Sequence, residues 1–224
     1  MKLSALLQRP SVAYVAPFAL FLALLPVGDM LPVQIDAPLR LIVPALAIWV
    51  FSRDVVSYKA RQIPLSAGLG VAVFLLWVAP DVLIHGYRDS WLFQNQLTGM
   101  IHISIPEQLR HDPWILLARC ARAVLIVPVI EELFWRAWLM RWLISPDFEA
   151  IPLGTFGWFS FVATAFLFGI EHGPFWDVGL ATGLIYNAWM IRTRSLGDCI
   201  LVHAVTNACL CGYVIATQHW EYWL

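Results

Sequence analysis

Long apolar stretches broken by short polar joints dominate this chain. Apolar runs fall at roughly 10–31, 38–52, 63–80, 114–143, 153–172, 177–191 and 196–217. A bilayer crossing needs ~20 apolar residues as a helix, so the pattern predicts about seven crossings, within a range of six to eight. The second and sixth runs are short and the fourth is long. Pro44 and Pro128 fall inside runs, as membrane helices tolerate when neighbours satisfy the freed carbonyl. Asp112 followed by Pro113 is helix-start chemistry, an N-cap and then a first-turn proline. Residues 81–112 form the only long polar connection. The expected fold is an all-α polytopic membrane bundle with a buried polar cavity. It is one integral membrane domain over 1–224, with N-terminal helices to 80, the connection 81–112 and a functional helical region at 113–217.

Composition sharpens this picture. The chain is 60% hydrophobic and 13% charged, against nearer half and a quarter in soluble domains. A net charge of −1 argues against a nucleic-acid partner. The run after Lys2 and Arg9 is long for a signal peptide and reads as an uncleaved first helix. Alternating crossings put Lys2, Arg9, Arg53, Lys59, Arg61, Arg136, Arg141, Arg192 and Arg194 on one side, against Arg40, Arg88 and Arg110 on the other. That bias predicts a cytoplasmic N-terminus and a C-terminus outside. Length and layout suggest a bacterial inner membrane. Cys120, Cys199, Cys209 and Cys211 form no CxxC pair and read as packing residues.

Buried charge concentrates in Val127-Pro-Val-Ile-Glu131-Glu132-Leu-Phe-Trp-Arg136. An ionised group at the bilayer centre costs roughly 2.5–3.5 kcal/mol on insertion scales, so these carboxylates need a partner or a task. On a helix Glu132 and Arg136 stand at i and i+4 and share a face. Glu131 points about 100° away, its i+4 neighbour is Trp135, and it has no local cation. The geometry therefore separates a structural carboxylate from a free one, and a free carboxylate in a dry cavity suits general acid–base chemistry. The alternative is that both glutamates only tie helices together through Arg136, Arg119 or Arg122.

Two later segments add hydrogen-bonding heads. Phe168 and His172 share a face, with Glu171 adjacent; His203 and Asn207 stand one turn apart on the last run. An imidazole and a carboxamide so placed suit a developing oxyanion, or serve as interhelical glue worth only about 0.6 kcal/mol. Gly179 and Gly183 form a GxxxG, read as packing inside the chain in preference to dimerisation; the oligomeric state stays open. Arg119 and Arg122 either attract a substrate carboxylate or, the preferred reading, snorkel to the outer interface.

Together Glu131-Glu132-x-x-x-Arg136, Phe168-x-x-x-His172 and His203-x-x-x-Asn207 resemble the CPBP family, which holds CAAX prenyl endopeptidases and bacteriocin-processing intramembrane proteases. The resemblance spans roughly residues 113–212; the first three helices match only in being hydrophobic. The N-terminal layout is also similar to a bacterial subgroup of CAAX-protease-related proteins associated with protein sorting. The resemblance implies hydrolysis of a peptide bond in a membrane-associated substrate, prenylated or bearing a sorting signal. Glu131 would activate water with His172 assisting, His203 and Asn207 would steady the tetrahedral intermediate, and Glu132 with Arg136 would support them. No metal is required on this reading; the metallo-endopeptidase alternative would hold zinc with Glu131, His172 and His203. A non-catalytic scaffold or immunity factor and an ion-coupled carrier are the rival functions.

One tension remains within the sequence. Full-length straight helices would leave His172 at the outer surface and His203 nearer the cytoplasm. Convergence requires the fifth helix to tilt or to end inside the membrane.

Overall fold

The computed structural model describes residues 9–28, 30–101 and 103–223. Lys2 of the charge tally, Asp29 in the first run and His102 in the polar connection lie outside them. Seven principal helices run through the described residues: α1 (Val12–Gly28), α2 (Val33–Ser52), α3 (Ile63–Leu83), α4 (Pro113–Trp142), α5 (Trp158–Glu171), α6 (Trp176–Thr193) and α7 (Leu196–Thr217). The described residues form no strand. Helices α2, α3, α4 and α7 are long and apolar enough to cross a membrane, and α1 and α5 are shorter apolar helices. The protein is an integral membrane protein.

Lipid exposure is visible along single helices. On α5, Trp158, Val162, Phe166 and Ile170 form an exposed apolar ridge at i, i+4 spacing, while Ser160, Thr164, Ala165 and Phe168 turn inward. A ridge of that kind would be a liability in water and is ordinary against hydrocarbon.

Two boundaries depart from the expected runs. Helix α2 begins at Val33, earlier than its apolar run, because Asp36 and Arg40 neutralise each other at i and i+4, 2.6 Å apart. Helix α5 begins at Trp158 instead of 153, because Pro152 and Gly154, the latter at φ 75°, hold the preceding segment in a turn. At 1.5 Å per residue its 14 residues span only about 21 Å, less than the ~30 Å hydrocarbon core. A helix this short that starts at one face of a bilayer ends inside it, which is the second of the two routes that convergence allows.

Three of the arginines counted as flanking charges are turned inward. Arg136 is wholly buried and Arg141 and Arg88 nearly so, so none of the three reports on which side faces the cytoplasm. Arg141 instead pins the α4–α5 connection, donating from Nε to the Ala137 carbonyl and from Nη1 to the Ile151 carbonyl.

The α3–α7 pair is fixed by a capping contact between distant segments. Asp198, in the first turn of α7, accepts at Oδ1 from the backbone N–H of Arg61 and Gln62, 3.0 and 2.7 Å away. The Ser66 hydroxyl donates to the same oxygen at 3.2 Å. It thereby satisfies orphan donors at the start of α3. Farther along the same pair, the Thr206 hydroxyl donates to the Gly70 carbonyl at 3.0 Å. A Cβ at Gly70 would stand 2.6 Å from the Val202 carbonyl oxygen, so only glycine permits this approach.

The connection after α3 is a docked cap, not a loose surface segment. Arg88 is its anchor. It donates to Asp81 at 3.0 Å, to Asp177 and the Pro174 carbonyl at 2.8 Å, and sits 4.2 Å over the Phe175 ring. This pins the cap to the α5–α6 turn.

Candidate active site

Helix α4 is wound irregularly, and the irregularity builds the site. Two π-helical stretches, Arg122–Ile126 and Leu133–Leu139, flank the six-residue segment bearing Glu131 and Glu132. Such π turns recur at functional sites. The first has a chemical cause. In π register the Ala123 carbonyl would bond the N–H of residue 128, but Pro128 has none. The Asn207 side chain supplies the donor instead, with Nδ2 2.7 Å from the Ala123 oxygen. Asn207 thus fills a backbone vacancy in α4 with one of its two amide hydrogens, which fixes its carboxamide against that helix.

Glu132 and Arg136 form the expected pair, 3.1 Å apart and wholly buried. The same Glu132 oxygen lies 3.0 Å from His203 Nδ1. Arg136 Nε donates to Asn187 Oδ1 at 3.2 Å, and Asn187 Nδ2 donates to the Phe161 carbonyl at 2.9 Å. The guanidinium stacks 4.4 Å from the Phe168 ring centroid and 5.3 Å from that of Tyr186. One buried polar cluster therefore ties α4 to α5, α6 and α7. Sequence reasoning missed Asn187. A lone carboxamide in a membrane helix was the available signal.

Glu131, one residue away, faces elsewhere. It is 6% exposed, and its buried Oε2 has no hydrogen-bond partner among the described residues. It lines a cavity of about 950 Å³ together with Glu171, His172, His203, Thr206 and Asn207. Glu171 was noted only as a neighbour of His172; it and Glu132 are the nearby negative charges that bear on Glu131, opposed by Arg136.

The histidines have defined hydrogen-bonding roles. His172 Nδ1 is 2.7 Å from the Phe168 carbonyl oxygen. A carbonyl only accepts, so Nδ1 carries the proton and Nε2 is the ring's lone-pair nitrogen. The ring packs 4.7 Å from Phe168 and 5.2 Å from Trp77. His203 likewise donates from Nδ1 to the Glu132 carboxylate, leaving Nε2 for the cavity.

GxxxG geometry sets the His172 position. A Cβ at Gly179 would come within 3.2 Å of the Gly169 Cα and of His172 Cβ and Nδ1; one at Gly183 would be 2.9 Å from the Ala165 carbonyl oxygen. The motif packs α6 onto α5 within the chain, as the sequence suggested.

Arg119 does not snorkel outward. It donates to Ser104 Oγ at 2.6 Å, lies 5.3 Å from the Trp223 ring and, with Arg122, lines the same cavity. Among the described residues no group of three or more His, Cys, Asp or Glu is arranged to hold a metal ion. Glu131, His172 and His203 share the cavity without converging as a ligand set.

Residues 113–209 match the family described as type II CAAX prenyl endopeptidase Rce1-like. No curated protein and no solved structure matches the chain. The matched span contains both carboxylates of α4, their arginine, both cavity histidines and Asn207. Over residues 113–209 the chain is thus similar to the Rce1-like type II CAAX prenyl endopeptidase family.

Proposed function

We propose that the protein is an intramembrane endopeptidase that cuts a membrane-associated peptide with water activated by Glu131. One observation carries this reading. Among the described residues Glu131 is a partnerless buried carboxylate on the wall of a cavity it shares with two imidazoles and a carboxamide. Glu131 takes a proton from water, and the water oxygen attacks the scissile carbonyl carbon. The His172 Nε2 lone pair accepts a hydrogen bond from the same water and orients it. The carbonyl oxygen becomes an oxyanion, facing the second amide hydrogen of Asn207, with the His203 ring on the same cavity wall. Collapse of the intermediate breaks the C–N bond, and the proton held on Glu131 passes to the leaving amine. Glu132 and Arg136 act through His203 as positioning residues. The chain is read with its N-terminus in the cytoplasm, in a bacterial inner membrane.

The substrate emerges from membrane proteomics of cells carrying wild type or Glu131→Ala. A membrane-associated precursor should accumulate uncut in the variant. Identical precursor profiles would refute the assignment. The mechanism needs no metal, so purified protein should keep cutting after exhaustive chelation; loss of activity restored by zinc would overturn this point. Because a Cβ at residue 179 meets His172 directly, Gly179→Val should cut the rate at least tenfold. It should also cost about 1–3 kcal/mol of stability, as overpacking does. Cleavage assays paired with thermal unfolding check both effects.

A further inference from the structure

Helices α4 and α7 run antiparallel and touch at a series of matched positions. His203 meets Glu132 at 3.0 Å. Asn207, one turn farther along α7, meets the Ala123 carbonyl at 2.7 Å. A further turn along each helix in the same direction leads from Ala123 back to Cys120 and from Asn207 on to Cys211. Those two cysteines face each other. They pack in one apolar cluster with Trp220 and Trp223, and their thiols are hydrogen-bonded to one another. Cys120 is half-buried, Cys211 is buried, and both are free thiols. Cys211 also lines the cavity that holds Glu131. The other two cysteines differ. Cys199 is sealed against Met190 and the Tyr186 carbonyl, and Cys209, two residues from Cys211, points to another side of α7.

We propose that Cys120 and Cys211 form a reversible disulfide that clamps α4 to α7 at the outer end of the cavity. The inference is independent of peptide cleavage. It takes from the functional reading only the orientation, which turns this end of the bundle toward the oxidising side of a bacterial inner membrane. A small-molecule disulfide arriving from that side is the oxidant. The Cys120 thiolate attacks one of its sulfurs, forming a mixed disulfide and releasing one small thiolate. Arg119 places its positive charge beside both protein sulfurs, the setting in which a thiolate attacks. The Cys211 thiolate then attacks the Cys120 sulfur, closing the protein disulfide and releasing the second small thiolate. The two protons lost by the cysteines end on the two small thiols, so two protein thiols are oxidised and one small disulfide is reduced. Closure brings the β-carbons to about 3.5–4.5 Å, the arrangement that cysteines facing each other across touching helices approach. The bond joins points separated by ninety residues. It lies one turn from the Asn207 contact with Ala123, so it holds that wall of the cavity in register.

The test uses full-length protein in detergent, incubated with oxidised glutathione, alkylated and digested without reductant. Mass spectrometry should find a peptide pair linked through Cys120 and Cys211, and an intact chain lighter by two hydrogen atoms. The unfolding temperature should rise by roughly 5–10 °C, the usual gain from a disulfide in a chain of this length, and reductant should reverse the rise. Cys120→Ser and Cys211→Ser, each compared with its own reduced form, should show no rise, whereas Cys209→Ser should respond like wild type. Cells grown in air, quenched in acid and alkylated, should contain the same linked pair. Glutathione held singly on either cysteine without the cross-link, a cross-link through Cys209, or an unfolding temperature that oxidation leaves unchanged would overturn the proposal. So would a pair that stays fully reduced in aerobic cells. Failure of the peptidase reading shows separately, as protein that closes the disulfide yet cuts no peptide in either redox state.

Discussion

Glu131→Gln is expected to lower cleavage by about 10²–10⁴-fold, the range a positioned general base supplies, with no loss of thermal stability. The two halves of this prediction have one cause. Glu131 faces the cavity and makes no hydrogen bond or ion pair among the described residues, so the amide replaces a group without breaking a contact. A neutral amide is also easier to bury than a carboxylate. Kinetics on purified protein, with unfolding followed in the same detergent, measures both. A large fall in stability would mean that Glu131 holds helices together and is not free for chemistry.

Glu132→Ala should show the opposite balance. Removing this carboxylate strips the partner from both Arg136 and His203 and leaves a fully buried guanidinium uncompensated. Breaking a buried pair on one side costs about 3–5 kcal/mol. The unfolding temperature should therefore fall on the order of 10 °C, and activity should fall with it as His203 loses its orienting acceptor. Glu132→Gln keeps an acceptor oxygen and should lose less. The double variant Glu132→Leu/Arg136→Met should recover much of the stability, since replacing both charges avoids the stranded ion, but none of the activity. Adjacent glutamates with such different signatures would be hard to explain by general damage to α4.

Sequence pattern was enough for the seven helices because a bilayer demands long apolar stretches and the joints between them are polar. It was also enough to separate Glu131 from Glu132, since that follows from helical angle alone and the i, i+4 pair survives the π winding. What it could not supply was depth. The late start of α5 depends on the turn around Gly154, and a run of apolar residues says nothing about where the helix proper begins. Nor could it supply contacts between distant segments. The Asn187 bond to Arg136 and the Asn207 bond to the Ala123 carbonyl both link residues more than fifty positions apart. The second exists only because Pro128 and a π turn coincide, which no local pattern encodes. Arg119 and Arg88 show the same limit from another side. Each looked like an interfacial charge, and each is turned inward by partners in another element.

In the proposed mechanism Glu131 activates water for direct attack on a peptide bond. Single-turnover cleavage in H₂¹⁸O, followed by mass spectrometry of product and enzyme, tests it most directly. Direct attack by water puts one ¹⁸O in the new carboxylate of the cut peptide and none in the Glu131 side chain, and labelled product from Glu131→Gln should form about 10²–10⁴-fold more slowly. Label in the Glu131 carboxyl, the mark of a covalent acyl-enzyme, or labelled product from Glu131→Gln at the wild-type rate, would contradict it.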